Sequence, residues 1–202
     1  MGSMFITFEG PEGAGKTTAV AAVVESLRAQ GRDVLSTREP GSGEVGKRLR
    51  ELVLTTEMDS TTELFLFLAD RSNHVATEIR PALAAGRVVV CDRFSDSTIV
   101  YQGYGRGLDL TILRSFNIFA TSGLKPDLTI LLDLEAEVGL ARLKEKDRMD
   151  SQPLAFHKKI REGFLAESRR EPDRWVVVDA SEGPDEVARK AMDAVARMLV
   201  TL

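Results

Sequence analysis

The chain has 202 residues, 43% of them hydrophobic and 29% charged, with 31 acidic against 27 basic side chains and a net charge of −4. That balance suits one soluble domain and gives no overall attraction to nucleic acid or an anionic membrane, so an anionic ligand must be drawn by locally gathered arginines and lysines. A lone Cys91 with only His74 and His157 excludes an intrachain disulfide and a Cys/His zinc site, and points to a reducing, cytoplasmic setting.

In chain order, Met1-Gly2-Ser3 reads as a vector-derived leader, and residues 4–202 are expected to fold as a single domain. Phe5–Phe8 predicts a first buried strand, and a helix opens at Lys16 or Thr17. Its Val20, Val23, Val24 and Leu27 recur at spacings of three and four until Gly31 ends it. Strands follow at Val34–Ser36, Val88–Cys91, Leu128–Leu132 and Trp175–Val178. Helical periodicity fills about Gly43–Leu54, Thr61–Ala85, Asp109–Thr121, Ala136–Lys144, Pro153–Glu171 and Asp185–Leu202. No run approaches the ~20 apolar residues of a membrane span, and no repeat or linker marks a second domain. Strands alternating with helices predict a five-stranded parallel sheet covered on both faces, a three-layer α/β fold.

Gly10-Pro11-Glu12-Gly13-Ala14-Gly15-Lys16-Thr17, followed by Thr18, matches the phosphate-loop pattern G-x-x-x-x-G-K-T between a strand and a helix. Glycines allow successive N–H groups to converge on phosphate oxygens, and the helix N-terminus adds positive potential. Lys16 is then expected on the β and γ phosphates and the Thr17 hydroxyl on Mg²⁺, which makes the ligand a Mg²⁺-nucleoside triphosphate on a P-loop NTPase fold. A second metal-side oxygen is expected from a strand end. Asp92, Asp133 and Asp179 compete for that role, and Asp92 is favoured because Arg93 follows it.

Arg38 and Arg93 add two guanidinium groups to strand-to-helix loops, more charge than ATP alone requires. They suggest a clamp on a phosphate-bearing acceptor. Phe67 and Arg71 share a helix face at a spacing of four, where they serve either a stacked base or a core ring with a surface charge. Ser97, Thr98, Tyr101 and Gln102 supply hydrogen-bonding groups beside Gly103, Gly105 and Gly107. Arg142, Lys144, Lys146 and Arg148 form a basic run that is either a lid over phosphates, at about residues 142–153, or a solvated face.

In this order these segments resemble the thymidylate kinase family over essentially the whole chain from Met4. The carriers are Phe8 to Thr18, Thr37-Arg38-Glu39-Pro40-Gly41, Phe67 with Arg71, Asp92-Arg93-Phe94, Tyr101-Gln102-Gly103 and Lys125-Pro126-Asp127-Leu128-Thr129. The resemblance implies a nucleoside monophosphate kinase domain that converts dTMP and ATP to dTDP and ADP, supplying dTTP synthesis, and a homodimer to which the helix from Thr61 contributes. It further implies that Arg38 and Arg93 hold the dTMP phosphate, that Phe67 stacks on thymine with Arg71 beside it, and that Glu12 lies near the 3′-hydroxyl. Ser97, Thr98 and Gln102 fall at the base edge, and Tyr101 crowds the sugar 2′ position. Because the loop's only basic side chain is Lys16, the bacterial arrangement with lid arginines is implied. Lys16, Arg93, Arg148, Arg142 and Glu12 are then the expected catalytic set, with Arg148 ahead of Arg142. Two alternatives use the same phosphate loop. A deoxynucleoside kinase would need Glu12 as general base, and a non-catalytic switch would only bind nucleotide.

Overall fold

The computed structural model describes residues 2–145 and 147–201; Met1, Lys146 and Leu202 lie outside the described residues. Five strands form at β1 (Met4–Glu9), β2 (Val34–Arg38), β3 (Val88–Asp92), β4 (Leu128–Asp133) and β5 (Trp175–Asp179). All pair in parallel in the order β2-β3-β1-β4-β5. Each strand outlasts its apolar run and ends on a polar residue, because the backbone ladder continues after the hydrophobic side chains stop. Glu9, Arg38, Asp92, Asp133 and Asp179 are thereby delivered to the carboxyl edge, where open parallel sheets bind ligands. Register sets Arg38 level with Asp92 and Asp133 level with Asp179, while Glu9 lies one residue beyond Phe8, the partner of Asp92.

The helices are α1 (Lys16–Ala29), α2 (Gly43–Thr55), α3 (Ser60–His74), α4 (Arg80–Ala84), α5 (Ser95–Thr98), α6 (Leu110–Thr121), α7 (Ala136–Arg142), α8 (Leu154–Arg170) and α9 (Pro184–Thr201). A π-helical turn, Val75–Ile79, joins α3 to α4, so the expected long helix is continuous but widened at its middle. Asp59 and Asp109 accept the first free N–H groups of α3 and α6, which sets both helix starts one residue beyond the cap. One expected boundary shifts. Helix α7 ends at Arg142 rather than Lys144, where Leu143 turns extended. The stretch after α5, which carries Tyr101, Gln102 and Gly103, is a π-helical segment, Ile99–Gly105.

Alternation along β1 separates the two cores. Met4, Ile6 and Phe8 face α1 and α9, whose Val20, Val23, Leu27, Val187 and Ala191 are all buried. Phe5 faces the other side with Val75, Ile79, Val89 and Phe94, and Tyr101, Phe156, Ile160 and Phe164 extend that layer over Leu131 and Trp175. Helices thus cover both faces and leave only the sheet's ends open.

Candidate active site

The segment Gly10–Thr18 leaves β1 and enters α1. Gly15 takes a left-handed conformation, φ 85°, at the N-cap of α1, and no side chain caps the helix. Its first N–H groups therefore remain for an anion. Gly13, φ 69°, lies backbone to backbone against Gly139 of α7: a Cβ on either residue would overlap a carbonyl across the contact, that of Gly139 or of Glu12. The loop is thus seated on α7, not merely strung between two elements. Pro11 and Ala14 are buried and offer only backbone, while Thr18 is exposed on α1. Lys16 Nζ donates to the carbonyls of Gly10 at 2.9 Å and Pro11 at 2.7 Å, spanning the loop. Burial, reinforced by the Arg93 charge, holds its pKa down to about 8.

Thr17 Oγ1 donates to Asp92 Oδ2 at 3.1 Å. The competing strand-end carboxylates are committed elsewhere: Arg161 holds Asp133 through two hydrogen bonds of 2.7 and 2.9 Å, and Asp179 accepts from Ser181 N. Asp92 is accordingly the aspartate that joins the phosphate loop. Thr17 and Asp92 are both oxygen donors, which suits Mg²⁺. No group of three or more His, Cys, Asp and Glu side chains among the described residues could hold a metal alone, so such an ion would take its remaining oxygens from phosphate and water.

Beside the loop opens a cavity of about 350 Å³. Glu12 of the phosphate loop, Arg38 of β2, Phe67 and Arg71 of α3, Arg93 after β3, Ser97 and Thr98 of α5, and Tyr101 and Gln102 of the π-helical segment all line it. Arg93 reaches it through a left-handed backbone, φ 68°, which costs a non-glycine residue about 1–2 kcal/mol. Neighbours hold that conformation: Arg93 N donates to Phe8 O at 2.9 Å. Glu9 accepts from Phe94 N at 2.8 Å, Ser97 N at 3.3 Å and Ser97 Oγ at 2.6 Å. Burial, and then the charge of Asp96, raises the pKa of Glu9 to about 7. The Arg93 guanidinium donates to Gly10 O and Glu12 and lies 5.0 Å over the Tyr101 ring.

Glu12 Oε1 accepts from Tyr101 at 2.5 Å and from Arg93 at 3.1 Å. Burial opposes its charge, yet Arg93, His157, Lys16 and Tyr101 outweigh burial and hold the carboxyl at about 2. Arg71 is a buried hub: four of its five N–H groups go to Glu39, Thr98, Asn117 and the Phe94 carbonyl. Gln102 donates to Glu63, which leaves its amide oxygen for other partners.

Two residues of the site carry roles that the sequence does not announce, Arg50 in the cavity wall and Glu9 behind it. Arg50 of α2 lines the cavity with Arg38 and donates to Pro40 O at 3.0 Å; burial, then Arg38, lowers its pKa. Its signal was present in the spacing to Gly46 and Val53, the buried face of α2. Glu9 carried no such signal, since a carboxylate ending a strand is ordinarily solvated.

The basic run divides. Arg142 donates to Ala180 O at 3.1 Å and Gly13 O at 3.4 Å, at the phosphate loop. Arg148 turns away and binds Val53 O at 2.9 Å and Glu63 Oε2 at 2.5 Å, outside the cavity wall. Lys144 is exposed, and Lys146 lies outside the described residues.

Comparison with known proteins accords with this geometry. The family model described as thymidylate kinase matches residues 8–191. The thymidylate kinase of Desulfovibrio desulfuricans is 51% identical over 205 residues, covering 95% of this chain and 94% of the relative. That of Synechococcus sp. strain JA-2-3B'a(2-13) is 54% identical over 193 residues, covering 95% and 94%. The crystal structure of thymidylate kinase from Ehrlichia chaffeensis superposes with a TM-score of 0.79 at 32% identity over 98% of this chain and 99% of that one. A match of this extent, over a chain whose phosphate loop and arginine-lined cavity share one sheet edge, means that the chain belongs to the thymidylate kinase family.

Proposed function

We infer that the chain transfers the γ-phosphoryl group of ATP to the phosphate of dTMP, giving dTDP and ADP. The observation that carries this is the convergence of Arg38, Arg50 and Arg93 on one cavity beside Lys16. A phosphate acceptor is largely dianionic at pH 7, so it needs charge neutralisation and alignment, not a general base. The alternative of a hydroxyl acceptor fails on the same geometry: Glu12, the base it would use, is held at about 2 and takes up protons poorly at neutral pH.

In this reading Arg38, Arg50 and Arg93 hold the acceptor phosphate, and Phe67 packs on the thymine. The remaining Arg71 N–H, with Ser97, Thr98 and Gln102, reads the base edge. Glu12 meets the sugar 3′-hydroxyl, and Tyr101, buried against it, leaves no room for a ribose 2′-hydroxyl. Lys16 and the free N–H groups of α1 hold the donor phosphates. Mg²⁺, held by Thr17 and Asp92, supplies charge neutralisation on those oxygens when bound. Residues 142–153 act as a lid of the arginine-bearing type, since Leu143, Asp147, Met149 and Asp150 of this segment line the cavity. Arg142 is its first cation for phosphate, being already at Gly13, and Arg148 joins only by leaving Glu63. The chain works as a homodimer in the cytoplasm. Exposed apolar side chains on two neighbouring helices, Phe65 of α3 and Ile112, Ile118 and Phe119 of α6, the last 87% exposed, offer the surface a second copy would cover. No helix among the described residues is long and apolar enough to cross a membrane.

ADP release with Mg-ATP against dTMP, dUMP, AMP and free thymidine tests the reading. Selective turnover of dTMP is expected, with kcat/KM falling roughly 10²–10³-fold in Arg93→Ala and kcat falling in Arg142→Ala. Preference for thymidine over dTMP, or an unchanged Arg93→Ala, would overturn it.

A further inference from the structure

Behind Glu12, away from the cavity, lies a buried group that the reaction as described does not use. His157, in the first turn and a half of α8, is 1% exposed and does not line the cavity. Its Nδ1 stands 3.7 Å from Glu12 Oε2. Neither ring nitrogen makes a hydrogen bond of normal geometry, and Oε2 of Glu12 makes none either. The other oxygen of the same carboxylate carries both the Tyr101 hydroxyl and the Arg93 guanidinium.

Buried polar atoms are ordinarily paired, so His157 Nδ1 and Glu12 Oε2, both unpaired and 3.7 Å apart, mark an interaction completed in another state of the molecule. The approach required is about 1 Å, the difference between this separation and an ordinary N–H···O distance. Phe156 packs edge-on to the imidazole at 5.6 Å and limits its freedom to turn away. Glu12 and the nearby backbone of Asp150 and Gln152 favour the protonated ring and raise its pKa.

We propose that His157 is a positioning residue for Glu12: when acceptor nucleotide binds, Nδ1–H donates to Oε2 and fixes the carboxylate plane against the sugar 3′-hydroxyl. Tyr101 and Arg93 hold one oxygen from the cavity side, and His157 holds the other from behind. With both oxygens held, the carboxylate cannot swing toward the cationic groups at the phosphate loop. The result is selectivity for acceptors with a free 3′-hydroxyl. This rests on the reading of Glu12 as the sugar contact.

The test compares dTMP with its 3′-deoxy analogue in the full-length enzyme, using kcat/KM for each. His157→Leu should lower the preference for dTMP by on the order of tenfold, mainly through the KM of dTMP, with little change for the analogue. His157→Asn, whose amide N–H falls near the Nδ1 position, should restore the preference to within about threefold of the parent. Should His157→Leu melt at a lower temperature, His157→Gln serves instead, because it stays polar but carries its amide beyond reach of Oε2. Glu12→Gln separates the two levels of the argument. If it lowers the preference while His157→Leu leaves it intact, the assignment of His157 is overturned and that of Glu12 stands. If Glu12→Gln leaves the preference unchanged, the sugar reading falls and this inference with it.

Discussion

Replacing Gly139 by alanine tests how the phosphate loop is held. In the interior of a helix this change ordinarily stabilises by about 0.5–1 kcal/mol, because glycine loses more backbone entropy on folding. Here the added Cβ would overlap the carbonyl oxygen of Glu12 and come within 3.3 Å of its carbonyl carbon. Both partners are backbone, so no flexible side chain can give way. Overpacking of this kind costs about 1–3 kcal/mol, more than the helix gains, and the expected net loss is about 1–2 kcal/mol. The second consequence is larger. Relief requires the loop at Glu12 and Gly13 to move on the order of 1 Å, and misplacement by that distance can cost about 10²-fold in rate. Urea denaturation reports the first effect, and kcat/KM for ATP in a coupled ADP assay reports the second. An alanine variant that is more stable than the parent, with unchanged kcat/KM for ATP, would refute the claim that α7 seats the loop.

Three further outcomes follow from the geometry. The Glu9 carboxyl rises from 4.5 to about 7 on folding, so the unfolded chain loses this proton first as pH rises. Stability is therefore unpenalised below pH 4.5 and falls until about 7, by about 3 kcal/mol for a shift of this size. Glu9→Gln should flatten the difference in urea midpoint between pH 5 and pH 7.5, and equal differences in parent and variant would contradict it. Glu12 acts on the other side, its depressed pKa contributing stability that is complete above 4.5 and lost as pH falls toward 2. Finally, Phe119→Glu places a charge in the exposed apolar patch of α6 and should convert a dimer to a monomer in sedimentation. A variant that sediments as the parent would remove this face from the interface.

Elements and motif could be read directly because their signals are local. The apolar runs at Phe5–Phe8 and Val88–Cys91 predicted strands, and Gly10 to Thr17 predicted a phosphate loop, since each depends on backbone conformations that nearby residues set. Of the nine side chains assigned to the acceptor, Arg38 and Arg93 are legible as loop charge beyond what ATP requires and the others rest on the family resemblance; all line one cavity. Spacing alone leaves Phe67 and Arg71 open between a base site and the core.

What local pattern could not decide was the choice among equivalent groups. Three aspartates end strands in the same way, yet Arg161, 28 residues from Asp133, claims that one and leaves Asp92 beside Thr17. The family resemblance puts Arg148 ahead of Arg142 among the lid cations, yet in the structure Glu63, 85 residues away, holds Arg148 while Arg142 lies at Gly13. Glu9 and His157 are unremarkable letters until strand order buries them against Ser97 and Glu12. Residue types and short spacings determined the elements, the phosphate loop and the chemistry available. Only the tertiary structure decided which charge meets which, because those partners are set by the order in which strands join a sheet, and no local periodicity encodes that order.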